Sequence, residues 1–214
     1  MLIAEELLLL SIDDETGRNA LLSNDKIAPA LGGALLVELA LMERIGVTPA
    51  SAERRQRGRV TITSTTPTDD QELDNLMVVL EQREGAKVTD LISQMSMKPI
   101  TKGLRDRLLH RLARAGVLRE QRSAIFKIRS WPTIDPGPRH EVHSRLQAAL
   151  VRADVPSERT VALIALLNAT GRLSKVVVGE DKKTLKSRAR DLSKGDWAAE
   201  AVKRAINEVT DSSG

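Results

Sequence analysis

Apolar residues recur along most of this chain at the three- and four-residue intervals of helices with one buried face, and only short stretches alternate as strands do. Ala4 to Ile12 is leucine-rich and is closed by Asp13, Asp14, Glu15, Thr16 and Gly17, side-chain acceptors ending in glycine that predict a turn. Ala20 to Leu22 reads as a short returning strand. Asn24 and Asp25 offer an N-cap, and Pro29 fits an opening helical turn. Leu31 to Ile45 is apolar almost all round except for Glu38 and Glu43, as a helix at the centre of a bundle is, with Gly46 placed to end it in the left-handed conformation. Ser51 to Gly58 is basic and polar, and Arg59 to Ser64 alternates like a half-buried strand.

Further along, Thr66, Pro67 and Thr68 lead into a helix from about Asp69 to Glu84, and Val88 to Met95 predicts another. Ile100 to Ala115 is a basic amphipathic helix with Leu104, Leu108, Leu109 and Leu112 inward and Gly116 as its stop. Val117 to Ile128 reads as a hairpin whose polar tip is Glu120 to Ser123, and Pro132, Pro136, Gly137 and Pro138 mark a loop. Helices follow at about Glu141–Arg152, Ser157–Asn168, Lys182–Leu192 and Asp196–Val209. The pattern predicts a mostly α fold, one globular domain over residues 1–214, with buried hydrophobic helices surrounded by amphipathic ones and short β-hairpins.

Composition narrows the function. The chain is 41% hydrophobic and 29% charged but only 1% aromatic, its rings being Phe126, Trp131 and Trp197, so proteins that stack bases on exposed rings are disfavoured. It has no cysteine, which removes thiol nucleophiles and thiolate metal sites and fits a reducing compartment. The first eleven residues lack a basic leader, and the longest apolar run, Val161 to Leu167, is far shorter than a membrane span. The expectation is a cytoplasmic protein that meets membranes only peripherally.

Charge is unevenly spread. Residues 98–129 carry ten bases against two acids, a local +8, although the whole chain is only +4. Such a concentration draws anions to one side of a molecule. On a continuous helix Lys98, Lys102 and Arg105 would share one face and converge on one phosphate, although the spacing fits a solvated basic face equally well. Helix, Gly116 and hairpin also fit a winged-helix DNA-binding unit, yet the helix offers no Asn, Gln or Ser to read base edges. Nucleic acid is therefore the less favoured partner. His140 and His143 lack metal-site spacing, Asp13 and Asp14 read as turn caps, and no phosphate-binding glycine loop is present. No catalytic site, metal or cofactor is expected, and an enzyme is the least favoured class.

Several ordered segments together resemble the Golgi phosphoprotein 3 family, peripheral membrane proteins that bind phosphatidylinositol 4-phosphate. They are Glu5-Glu6-Leu7-Leu8-Leu9-Leu10 with Asp14 and Gly17; Asn24-Asp25-Lys26-Ile27 running into Gly33 and Leu36-Val37-Glu38-Leu39-Ala40-Leu41; Ser64-Thr65-Thr66-Pro67-Thr68-Asp69-Asp70 with Leu73-Asp74; Arg105-Asp106-Arg107-Leu108 through Gly116-Val117-Leu118; and Ala162-Leu163-Ile164 through Ala169. The resemblance implies a lipid-phosphate pocket in which Lys102 and Arg105 keep the two basic positions of the helix, while the tryptophan position falls on Ser23 and an arginine position on Gly32. It also implies a hairpin, here carrying Ile125, Phe126 and Ile128, that contacts the membrane or a second copy of the chain. The shorter hairpin and the absent N-terminal extension suggest a compact, bacterial member. A peripheral protein with anionic lipids as partners, homo-oligomeric through its hairpin and serving unidentified clients, is the expectation; a DNA-binding protein or an interaction scaffold is the alternative.

Overall fold

The computed structural model describes residues 1–18, 24–49, 51–95, 103–122 and 129–194. In chain order the elements are α1 (Ile3–Ser11), α2 (Asn24–Leu41), β1 (Ile45–Val47), β2 (Val60–Ile62), α3 (Gln71–Glu81), α4 (Val88–Met95), α5 (Leu104–Arg114), β3 (Gln121–Arg122), β4 (Arg129–Ser130), α6 (Gly137–Leu150), α7 (Glu158–Ala169), α8 (Leu173–Val176) and α9 (Lys182–Leu192). The strands form two antiparallel pairs, β1 with β2 and β3 with β4. The fold is mostly α with short hairpins, as the pattern predicts.

Two hydrophobic helices organise it. Every residue of α1 is buried, and α2 is buried along nearly its whole length from Ile27 onward. They pack on each other; α3, α4, α5 and α7 pack around α2, while α5, α6 and α7 pack around α1. The apolar faces of the outer helices close the core, with Leu73, Leu76 and Leu80 from α3, Leu104, Leu108, Leu109 and Leu112 from α5, and Val142 and Leu146 from α6. The leucine-rich segment at residues 4–12 is therefore a helix. The strand expected to return at 20–22 and the helix expected at 196–209 lie outside the described residues.

Three boundaries differ from the sequence expectation. First, α2 ends at Leu41, not Ile45, because Glu43 takes the left-handed conformation (φ 56°) and the Glu43 and Arg44 N–H groups return to the Ala40 and Leu39 carbonyls. Gly46 does not stop the helix; it lies in β1, where a Cβ would come within 2.8 Å of Thr61 Oγ1. Second, the basic helix begins at Leu104, since Gly103 before it is left-handed (φ 75°). Lys98 and Lys102, expected to share a helical face with Arg105, lie outside the described residues.

Third, the hairpin sits later than its polar residues suggested. Gln121 pairs with Ser130 and Arg122 with Arg129, and a bridge between Leu118 and Thr133 continues the same register. Ser123 lies outside the described residues, and Glu120 belongs to the approach to β3 rather than to a tip. Its carboxylate faces Arg122 at 3.1 Å and His110 at 3.7 Å, which explains why a polar run need not be a turn. Ile125, Phe126 and Ile128 lie outside the described residues.

A helix buried all round brings its carboxylates inside with it. Glu5 and Glu6 of α1 are 4% and 3% exposed, and each is met by arginines from distant elements. Glu6 accepts from Arg145 of α6 at 3.0 Å and from Arg159 of α7 at 3.1 Å. Arg159 also reaches Glu38 of α2 at 2.5 Å and the Met1 carbonyl at 2.6 Å. Burial works against the Arg159 charge, but its bonds to Glu38 and Glu6 outweigh that and raise its pKa. Removing one partner of a buried ion pair strands the other and costs about 3 to 5 kcal/mol. Arg159→Ala is expected to lower the unfolding free energy by about 3 kcal/mol in urea titrations, with Arg159→Lys recovering less than half, because one ammonium cannot reach three acceptors.

Candidate functional site

Helix α5 carries four arginines, and the chemistry of the site depends on which of them are already engaged. The four inward leucines set its rotation against α1 and α2. On its outer side Arg107 forks Glu72 of α3 through Nε and Nη2 at 2.6 and 2.8 Å, and this bond raises the pKa of Arg107. One turn on, Arg111 donates through Nε to Glu5 at 2.7 Å and through Nη1 to Asp70 at 2.6 Å; the bond to Glu5, and then that to Asp70, raises its pKa too. These two guanidiniums fasten α5 to α1 and to the start of α3. A cleft of about 400 to 600 Å³ class would suffice for a headgroup, and the one here, near 610 Å³, lies between Gln71 and Glu72 on one side and Arg107, His110, Arg111 and Arg114 on the other.

Arg105 is different. It stands at the same angular position as the inward leucines, one turn before Leu109, and its side chain is 31% exposed. Its nearest carboxylate is that of Asp106, at 4.0 Å, and its Nε is buried without an acceptor. Asp106 also faces Arg129 of β4 at 3.6 Å. The Nε groups of Arg44, Arg145 and Arg172 are likewise buried without an acceptor, so it is within α5 that Arg105 stands apart. Arg114 and Arg119 are exposed and have no ion pair among the described residues.

Of the residues the sequence singled out, Arg105 is therefore placed at the start of α5 and Gly32 is buried in α2, which packs against α5. Lys102, Ser23, Ile125, Phe126 and Ile128 lie outside the described residues. His140 and His143 are not brought together on an ion: His140 Nδ1 lies 3.3 Å from the Pro136 carbonyl and His143 Nε2 lies 2.9 Å from that of Val176. Among the described residues no group of three or more His, Asp or Glu could hold a metal. Asp13 and Asp14 cap and anchor the first turn, as their spacing suggested. Asp13 accepts from the Thr16 N–H and hydroxyl at 2.8 and 2.7 Å, which lowers its pKa, while Asp14 accepts from Thr133 at 2.8 Å and from Arg139 at 3.0 Å. Gly17 in this turn is obligatory, since a Cβ would overlap the backbone of Trp131 and Pro132.

What sequence reasoning missed is the role of the acids. Glu5, Glu72 and Asp70 decide which bases of α5 are available, and the available signal was an acidic pair inside an unbroken leucine segment. The start of α3 is built for this. Asp70 caps the helix, accepting from the Glu72 and Leu73 N–H groups at 3.0 and 3.4 Å with one oxygen while the other holds Arg111. Asp69 before it is left-handed (φ 61°), and Asp74 reaches back to the Thr68 N–H at 2.8 Å and hydroxyl at 2.7 Å.

Two comparisons with known proteins fit this arrangement. The family model described as Golgi phosphoprotein 3 (GPP34) matches residues 3–209. Vacuolar protein sorting-associated protein 74 of Eremothecium gossypii is 26% identical over 202 residues, an alignment that covers 82% of this chain. The chain spans 61% of that relative's length.

The Thr68–Asp74 bonds set a pH dependence. The backbone bond from Thr68, then its hydroxyl, holds the Asp74 carboxyl below its ordinary value. A group depressed in the folded state stabilises the fold fully above its unfolded pKa and loses that contribution as pH falls through its folded pKa. The stability difference between the native chain and Asp74→Ala is expected to be constant above about pH 5 and to shrink below about pH 4, measured by chemical unfolding across that range.

Proposed function

The chain belongs to the Golgi phosphoprotein 3 family, and from that premise we propose that it is a non-enzymatic peripheral membrane protein which binds anionic phospholipid headgroups, phosphatidylinositol 4-phosphate among them. The single observation that carries this reading is Arg105. Where Arg107 and Arg111 are each held by carboxylates, Arg105 keeps a buried N–H without an acceptor at the start of α5. Lys102, three residues earlier, supplies a second positive charge in the sequence beside it. A phosphate monoester offers several strong acceptors and nearly two negative charges, which matches an unanswered guanidinium fork.

The altered positions adjust the specificity. With Ser23 in place of a ring and Gly32 in place of a guanidinium, the headgroup is held by charge more than by stacking, so other acidic lipids compete. Ile125, Phe126 and Ile128, between β3 and β4, provide the apolar side chains that would enter the bilayer interface or pair with a second copy. Among the described residues no helix is long and apolar enough to cross a membrane. The name of the fungal relative associates it with vacuolar protein sorting, and by analogy a role in protein sorting is the process proposed here. A DNA-binding role is less favoured, because Arg107 and Arg111 are committed to carboxylates on the face a recognition helix would present.

Vesicle sedimentation tests the assignment. A charge-assisted hydrogen bond is worth about 1.5 to 3 kcal/mol, so Arg105→Ala is expected to weaken binding to phosphatidylinositol 4-phosphate vesicles by about tenfold or more. Arg152→Ala, which removes an exposed guanidinium already paired with Asp154, is expected to leave binding unchanged. Equal binding by Arg105→Ala and the native chain, both folded, would contradict the site.

A further inference from the structure

A concentration of positive charge that the reading above does not use lies in the loop between β1 and β2. Residues 51–59 contain Arg54, Arg55, Arg57 and Arg59 against one acid, Glu53. The loop is held in shape by its own bonds. The Gln56 and Arg57 N–H groups return to the Glu53 carbonyl at 2.8 and 3.2 Å, and Gly58 N–H bonds the Thr48 carbonyl at 3.0 Å. The Thr48 hydroxyl donates to the Gln56 carbonyl and accepts from the Arg59 N–H.

The arginines use neutral partners. Arg57 Nε donates to the Ala52 carbonyl at 2.6 Å, Arg59 Nε to the Arg55 carbonyl at 2.7 Å, and Arg59 Nη1 to the Gly85 carbonyl. Backbone carbonyls orient a guanidinium without cancelling its charge. Arg54 and Arg55 are exposed and have no side-chain partner among the described residues. Lys87, also exposed, lies directly across from Arg59 in an antiparallel bridge, a like-charge juxtaposition that costs stability. None of the ion pairs among the described residues includes any of these five bases, although Glu53 and Glu84 are close in sequence. Four bases of this loop, with Lys87 across from it, thus gather on one side of the β1–β2 pair without a carboxylate partner among the described residues.

We infer that this loop is a second electrostatic contact with the membrane, taking the surface of an anionic bilayer rather than one particular headgroup; the inference rests on the peripheral-membrane reading above. The loop presents charge and no pocket. The only Phe, Tyr or Trp ring among the described residues is that of Trp131, which is buried, and the loop itself carries no ring on which a base could stack. A sheet of like charges such as phosphatidylserine asks only for several cations close to its plane, each strengthening binding about fivefold and each screened by salt.

The test uses the full chain and two kinds of vesicle. On phosphatidylcholine vesicles containing phosphatidylserine and no phosphoinositide, Arg54→Ser with Arg55→Ser is expected to weaken partitioning by about twentyfold, with Arg54→Lys and Arg55→Lys retaining most of it and added salt erasing the difference. On phosphatidylcholine vesicles with phosphatidylinositol 4-phosphate alone, Arg105→Ala is expected to cause the larger loss. Unchanged phosphatidylserine binding by the Ser double variant, with Arg105→Ala still defective on phosphoinositide, overturns the loop while sparing the α5 site. The opposite pattern supports the loop and removes the α5 site. Loss of duplex-DNA binding by the Ser variant without loss of vesicle binding also overturns the inference. The two arginines contact nothing that the fold needs, so thermal unfolding should match the native chain.

Discussion

Helix α1 is buried on every side, and most of the structure follows from satisfying the polar groups it carries inside. Its first N–H groups have no partners within the helix. Glu5 accepts from the Leu2 N–H at 2.7 Å and Glu38 of α2 accepts from that of Ile3 at 2.7 Å. At the other end Arg139 of α6 donates to the Leu9 and Ile12 carbonyls, and the Ser11 hydroxyl returns to that of Leu7. Its carboxylates draw Arg111, Arg145 and Arg159 from three other helices. Each of these bonds fixes a neighbour at a defined height and rotation, so α5, α6 and α7 are positioned by electrostatics as well as by their leucines.

The same requirement sorts the charge of the whole molecule. A basic stretch of sequence becomes, in three dimensions, one set of arginines consumed by buried acids and another left over. Arg107 and Arg111 belong to the first set and serve the fold. Arg105 and the β1–β2 loop belong to the second. Net charge alone would not separate them, because the acids that neutralise α5 come from α1 and α3 rather than from its own segment. On the proposed reading, binding uses positions where the fold has left a guanidinium without a carboxylate.

The amphipathic helices were legible because one polar face and one apolar face leave a period: α4 and α9 start and stop where their patterns do, and α7 begins beside Ser157, whose hydroxyl caps it. Helix α1 was less legible since burial on all faces erases the period that separates a helix from a strand. The hairpin was misplaced because exposed strand residues such as Gln121 and Arg122 are as polar as turn residues. In the site, charge was visible but its partners were not. Glu5 and Arg111 are 106 residues apart in sequence and Glu6 and Arg159 are 153 apart, distances at which only the packing of helices chooses who meets whom. Gly103 gave the one local hint of where α5 begins, since glycine accepts the left-handed conformation found there.

The division of arginines into engaged and available is the central claim, and arginine side-chain NMR reads it directly. Titrating the protein with the soluble headgroup glycerophosphoinositol 4-phosphate should shift the Arg105 Nε–H resonance and leave those of Arg107, Arg111 and Arg159 in place. Shifts centred on Arg107 and Arg111, with Arg105 unmoved, would contradict the account.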